Sequence, residues 1–181
     1  RKAIIDDVCN YIKDHPTLDV LHFWLADGTN NHCECEKCSK MRPSDFYVML
    51  MNELDEALEA AGLPTRIVFI CYVDTTWAPE KITIKNPDRF VLMFAPITRT
   101  YSKTYTVTEE ELAAVELAPY TKNTLKMPRS VAENVARLRK WQEAFSGDSF
   151  DYDYHLVLDE NNEEIDLRAT YDNDDVGFVS D

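Results

Sequence analysis

Three apolar runs constrain this chain more than anything else in it: residues 20–26 (VLHFWLA), 66–73 (RIVFICYV) and 90–95 (FVLMFA). Each is short for a helix and lacks the apolar-polar alternation of a strand with one wet face, so each is expected to be a strand buried on both faces. The first stops at Asp27-Gly28, the second at Asp74 and the third at Pro96, residues that turn the chain or end a ladder.

Helical patterns lie between these runs. Ile4, Ile5, Val8, Tyr11 and Ile12 recur at helical spacing until His15-Pro16. Ser44 is placed to cap a helix over residues 45–61, with Phe46, Met49, Leu50, Leu54 and Leu58 inward and Gly62 and Pro64 as the stop. Thr108 with Glu111, and Ser130 with Glu133, are capping boxes that start two further helices. The second carries Val131, Val135, Leu138, Trp141 and Phe145 inward and ends at Gly147. Residues 75–89 hold Pro79 and Pro87 and little periodicity, so they read as an irregular crossover. A fourth strand follows over residues 150–158.

Strands alternating with helical connections define an α/β chain built from parallel β/α units. Four strands are half of a (β/α)₈ barrel, which needs about 250 residues, so a partial TIM-barrel-like domain or an open doubly wound sheet fits. Residues 1–158 form that domain in this reading. Residues 159–181 turn acidic and are expected to be a tail or a small hairpin.

With 45 % hydrophobic and 11 % aromatic residues among 181, one well-packed domain is expected. A net charge of −14, from 33 acids against 19 bases, repels phosphate backbones and anionic lipid. Nucleic acid is therefore not an expected partner, and no run reaches the roughly 20 apolar residues of a membrane span. Opening on Arg1, the chain reads as a piece of a longer protein. There is no Walker loop and no G-x-G-x-x-G, and four glycines leave little for a phosphate cradle. Localisation stays open on composition alone.

Directly after Asp27-Gly28 come His32, Cys33, Cys35 and Cys38. Thiolates and imidazole bind zinc at short fixed range, so ligands one or two residues apart can wrap a single ion. A disulfide or unligated thiols are the alternatives, and Cys9, Cys71 or His15 could replace His32 as fourth ligand. A site saturated by protein would be structural zinc.

If the strands are parallel, their carboxyl ends present Asp27, then Tyr72, Asp74 and Trp77, then Arg99 and Tyr101, then Asp153, Tyr154 and His155. Paired carboxylates are the machinery of glycoside hydrolysis. Asp27, Asp74 and Asp153 are the candidates. Tyr72, Trp77, Tyr101 and Tyr154 offer faces for sugar rings, Arg99 could clamp a substrate carboxylate, and His155 adjoins them. His22 reads as a hydrogen-bonded core residue, Trp141 as core, and Cys71 as an inert buried thiol.

Asp27-Gly28, the Cys33-x-Cys35-x-x-Cys38 loop, the strand end Cys71-Tyr72-Val73-Asp74, Ala95-Pro96 and Asp151-Tyr152-Asp153-Tyr154 together resemble bacterial domain of unknown function 4838. The resemblance implies a glycoside-hydrolase-like β/α barrel, distantly similar to α-glucuronidases, in a multidomain carbohydrate-related protein at or beyond the cell surface. Three readings are thus open. One is a glycoside hydrolase acting through Asp27 with Asp74 or Asp153. The second is a non-catalytic glycan-binding or structural barrel with a zinc-stapled loop, and the third a hydrolase using an open zinc in that loop.

Overall fold

The computed structural model describes residues 1–27, 32–100 and 103–154. Four strands, β1 (Val20–His22), β2 (Arg66–Cys71), β3 (Phe90–Phe94) and β4 (Asp148–Asp151), form one sheet in the order β1-β2-β3-β4. Every pairing is parallel, with Cys71, Phe94 and Asp151 on one rung. Around them lie α1 (Lys2–Asp14), α2 (Pro43–Ala60), the short α3 (Glu109–Ala113) and α4 (Val131–Ala144). The expected α/β class with an all-parallel sheet is present.

Residues paired across parallel strands share a face, so Ile67, Phe69, Cys71, Phe90, Leu92 and Phe94 form one side of the sheet. Phe69 stands at its centre. Its ring meets Tyr47 of α2 at 6.1 Å, Trp141 of α4 at 5.6 Å and Phe145 at 5.2 Å. Both helices therefore cover the same face. On the opposite face His22 of β1 and Phe150 of β4 bring their rings to 6.5 Å, although a flat sheet would hold these strands about 14 Å apart. The sheet is thus curled away from its helices, and its concave side carries His22, Val68, Ile70, Met93 and Phe150.

The helix signals hold in part. Thr108 and Ser130 cap α3 and α4, accepting from the amides of Glu111 and Glu133 at 3.1 and 3.2 Å. Gly62, at φ +67°, ends α2 in the left-handed region that glycine enters without a Cβ penalty, and the Leu63 amide closes back to the Leu58 carbonyl at 2.9 Å. The start of α2 differs from expectation. Ser44 lies inside the helix at zero exposure, because Pro43 occupies the first turn, where its missing N–H costs nothing. Asp45, not Ser44, takes the orphan amide of Arg42 at 3.0 Å.

Strand 1 is the main correction. It spans three residues rather than seven, and Val20, Trp24 and Leu25 are 41–46 % exposed. As an edge strand it pairs with β2 only, and after Phe23 donates to the Val68 carbonyl the Tyr47 hydroxyl captures the Phe23 carbonyl, ending the ladder. His22 is accordingly exposed, not core. Helix α1 buries Ile5, Cys9 and Ile12, a narrower stripe than expected, and leaves Ile4 and Tyr11 outside. Strand β4 runs Asp148–Asp151, earlier than anticipated; residues 155–181, with the expected tail, lie outside the described residues.

The crossover from β2 to β3 contains only two 3₁₀ turns, Val73–Thr76 and Pro87–Arg89. What replaces a covering helix is a polar stripe on α2. Asp45 Oδ1 accepts the amides of Glu80, Lys81 and Ile82 at 2.7–3.1 Å. Seven residues on, Asn52 binds the Thr83 carbonyl and the Lys85 amide at 2.9 and 3.0 Å. Three further on, Asp55 takes Asn86 and Arg89 at 3.2 and 2.7 Å. These spacings lie along one helical face, so α2 holds the irregular segment rung by rung.

Candidate functional site

A cleft of about 410 Å³ opens where β1 stops short of β2. Its walls include Leu25 and Ala26 after β1, Ile70, Tyr72, Asp74 and Thr75 at the end of β2, Tyr47 and Leu50 of α2, and His32, Cys33 and Cys38 of the loop. Carboxyl ends of parallel strands are where α/β folds place their ligands, and an apolar cleft with a few converging polar groups is the usual form of such a site.

Asp74 is delivered by a strained turn. Val73 has φ +43°, a conformation that a β-branched side chain adopts only when its surroundings impose it. Thr75 imposes it: its hydroxyl accepts the Tyr72 amide at 2.9 Å and donates within the turn to the Ile70 and Tyr72 carbonyls at 3.0 and 2.9 Å. Trp141 then anchors the Thr75 carbonyl at 2.9 Å. Asp74, 8 % exposed, faces His32 with Oδ2 3.9 Å from Nδ1, and Tyr120 stands 3.4 Å from the other ring nitrogen. Burial and then the Asp74 charge raise the Tyr120 pKa.

Asp27 is exposed and belongs to a second group, built on Tyr72. Burial raises the Tyr72 pKa, and so does the Asp27 carboxylate to which its hydroxyl donates. The Tyr72 and Tyr154 rings stack at 6.2 Å and 27°. Burial, then the neighbouring Tyr72, pushes the Tyr154 phenol up to about 12. Tyr152 meets Tyr154 edge-on at 5.2 Å.

Asp153 stands apart from both. Arg99 grips it with two parallel bonds, Nε to Oδ1 at 2.8 Å and Nη2 to Oδ2 at 2.6 Å, and the two side chains are 3 % and 2 % exposed. Tyr105 donates to Asp153 and Asp151 at 3.2 and 3.1 Å, with the Arg99 guanidinium over its ring at 4.2 Å. Asp151 pairs with Phe94 and so lies on the helix side of the sheet, away from the concave face. Arg99 is thus committed to an internal partner and is not placed to clamp a substrate. Asp153 is likewise an internal anion rather than a rim acid. Trp77 is a correction as well: it is 1 % exposed, bonded to the Ala118 carbonyl at 2.9 Å and covered by Arg137. Tyr101 and His155 lie outside the described residues.

The residue missed in the sequence is Asp151. Burial, then the Asp153 charge beside it, pushes its carboxyl from 3.8 up to about 7. Its Oδ2 is buried with no donor, which suits a carboxyl that keeps its proton. The i, i+2 spacing of Asp151, which ends β4, and Asp153 just beyond it was the available signal, since extended chain places such a pair on the same side. A carboxyl raised on folding contributes full stability below its unfolded value and loses it as pH rises through about 7. Asp151→Asn should therefore match the parent near pH 4 and exceed it above pH 8 by about 2–4 kcal/mol. Urea unfolding at both pH values checks this; parallel pH profiles for the two proteins would contradict it.

In the loop, the sulfurs of Cys33, Cys35 and Cys38 lie within 4.8 Å of one another. A tetrahedral zinc with bonds of about 2.3 Å sets its sulfurs about 3.8 Å apart, so small side-chain shifts would close them on an ion. Cys35 is prepared as a thiolate: the Cys38 amide, then the Cys33 and Cys38 thiols and the Lys37 amide, lower its pKa to about 7. Its bond to Cys38 holds that thiol up at about 11. The donor set fits a metal, and all five cysteines are free thiols. The expected fourth ligand, His32, is turned instead to Asp74 and Tyr120. Cys71, 1 % exposed with its pKa raised by burial, is the inert thiol anticipated.

No family model matches this chain, and no curated protein or solved structure matches it. Among the described residues no helix is long and apolar enough to cross a membrane.

Proposed function

We propose that this chain is part of a carbohydrate-active glycoside hydrolase of the β/α-barrel type, within a larger protein, with Asp27 and Asp74 as its carboxylate pair. The observation that carries the reading is that Tyr72 and Asp74 line one cleft at the end of β2, and that Tyr72 bonds Asp27 from the segment that follows the adjacent parallel β1. Sequential parallel strands, helices on one face and curvature away from them are the pattern of consecutive barrel units. Tyr72 and Tyr154 offer aromatic faces for a sugar ring. Strain at Val73 supports a functional role for the turn that aims Asp74. Zinc on the three thiolates would brace the loop that forms one wall.

The test is hydrolysis of aryl glycosides and aryl glucuronides by the full-length protein. Asp27→Asn and Asp74→Asn should each cut kcat by about a hundredfold or more, the usual worth of a positioned acid or base, while inhibitor binding persists. Tyr72→Ala should weaken that binding. A second reading, a non-catalytic glycan-binding module, is favoured by the burial of Asp153 in its pair with Arg99, which leaves Asp27 and Asp74, of which Asp74 lines the cleft. Glycan binding lost in Tyr72→Ala, with no hydrolysis by the parent, would establish that module; neither binding nor hydrolysis would end both readings.

A further inference from the structure

We propose that Cys33, Cys35 and Cys38 hold a zinc-type ion whose fourth place is taken by a neutral nitrogen donor from outside the loop, an amine or imidazole, and not by His32. Three observations converge on this. The three sulfurs cluster, and among the described residues no fourth His, Cys, Asp or Glu donor joins them within 4.8 Å. His32 faces Asp74 and Tyr120 at 3.9 and 3.4 Å and is not among the donors that gather with the sulfurs. Cys33 and Cys38 also line the 410 Å³ cleft, so a small ligand can approach the ion from there.

Charge selects the ligand class. Three thiolates leave a divalent ion with a net charge of about −1, in a chain of −14. An anion would add to that repulsion, whereas a neutral nitrogen leaves the charge unchanged and suits a borderline-soft metal. Three protein ligands with a fourth place open to exogenous donors is the arrangement of reactive zinc centres rather than of closed staples. The inference is independent of glycan chemistry, and its readout is spectroscopic.

The experiment loads the full-length protein with Co²⁺ as the probe metal and titrates it with imidazole. Sulfur-to-cobalt charge-transfer bands should report three thiolates, and the visible d–d bands should shift saturably as imidazole binds. His32→Gln should show the same bands and the same titration, and Cys35→Ser should bind Co²⁺ more than about a hundredfold more weakly, beyond the loss expected from an outer-shell partner. A spectrum insensitive to imidazole would overturn the proposal, because the protein then fills the fourth place. So would a changed spectrum in His32→Gln, or a parent chain that forms no thiolate–cobalt bands.

Discussion

Arg99→Met is expected to lower unfolding free energy by about 3–5 kcal/mol, the range for a buried ion pair that loses one partner. The cost arises on the side that remains. The Asp153 side chain is 2 % exposed and receives both arms of the guanidinium fork, so without Arg99 its charge loses two bonds and leans on the Tyr105 hydroxyl. Asp151, whose pKa burial and then that neighbour already raise, would compete for the same proton. The loop also loses anchorage, since Arg99 donates to the Thr100 and Lys103 carbonyls at 3.2 and 3.3 Å. Arg99→Met with Asp153→Leu removes both charges and should recover most of the loss, as apolar replacement of buried pairs often does. Urea denaturation of the two variants checks this. A single variant within 1 kcal/mol of the parent would mean that solvent reaches Asp153, contrary to its burial.

The fold was legible wherever the sequence reports local or one-element physics. Apolar runs at β2 and β3, the capping boxes at Thr108 and Ser130 and the glycine at position 62 each speak through neighbouring residues, and each is found where expected. The run at residues 20–26 is as apolar, yet lies at a sheet edge and stays half exposed. Hydrophobicity alone does not report how many neighbours a strand has. The site was legible as a location rather than as a partner list. Asp74, Tyr72 and His32 do line one cleft, but the commitment of Arg99 to Asp153 spans 54 residues, and no local pattern encodes such a pairing. Trp77 failed similarly: its position after an acid pointed to a rim, whereas Arg137 and Ala118 from distant segments bury it.

Three acids follow strand ends along the chain, Asp27, Asp74 and Asp153. Their partners separate them: Asp27 with Tyr72, Asp74 with His32, Asp153 with Arg99. Asp74 lines the cleft, and Asp27 reaches it through Tyr72. The third, with Asp151 and Tyr105, ties β4 to the loop after β3, and it makes that tie sensitive to pH.

The largest loss is expected at Asp45. This carboxylate has zero exposure and accepts four backbone amides: Arg42 on Oδ2, and Glu80, Lys81 and Ile82 on Oδ1. Asp45→Ala orphans the start of α2 and three successive amides of the crossover at once. Each buried unsatisfied donor costs about 1–3 kcal/mol, so the four together cost about 4–12 kcal/mol, comparable to the whole stability of a typical domain. Asp45→Asn keeps the shape and one carbonyl oxygen. With its oxygen toward the crossover it should retain the three amides there and sacrifice only Arg42, where the NH₂ group would meet a donor. Its expected cost is about 2 kcal/mol, one orphaned amide plus the lost charge assistance. Amide hydrogen exchange separates the two effects where both chains fold: in Asp45→Asn protection should fall at Arg42 and persist at Lys81 and Ile82. Loss of protection across the crossover in Asp45→Asn would show that charge, rather than acceptor geometry, holds it to α2. An unchanged Asp45→Ala would remove the physical basis for a β2–β3 connection without a helix.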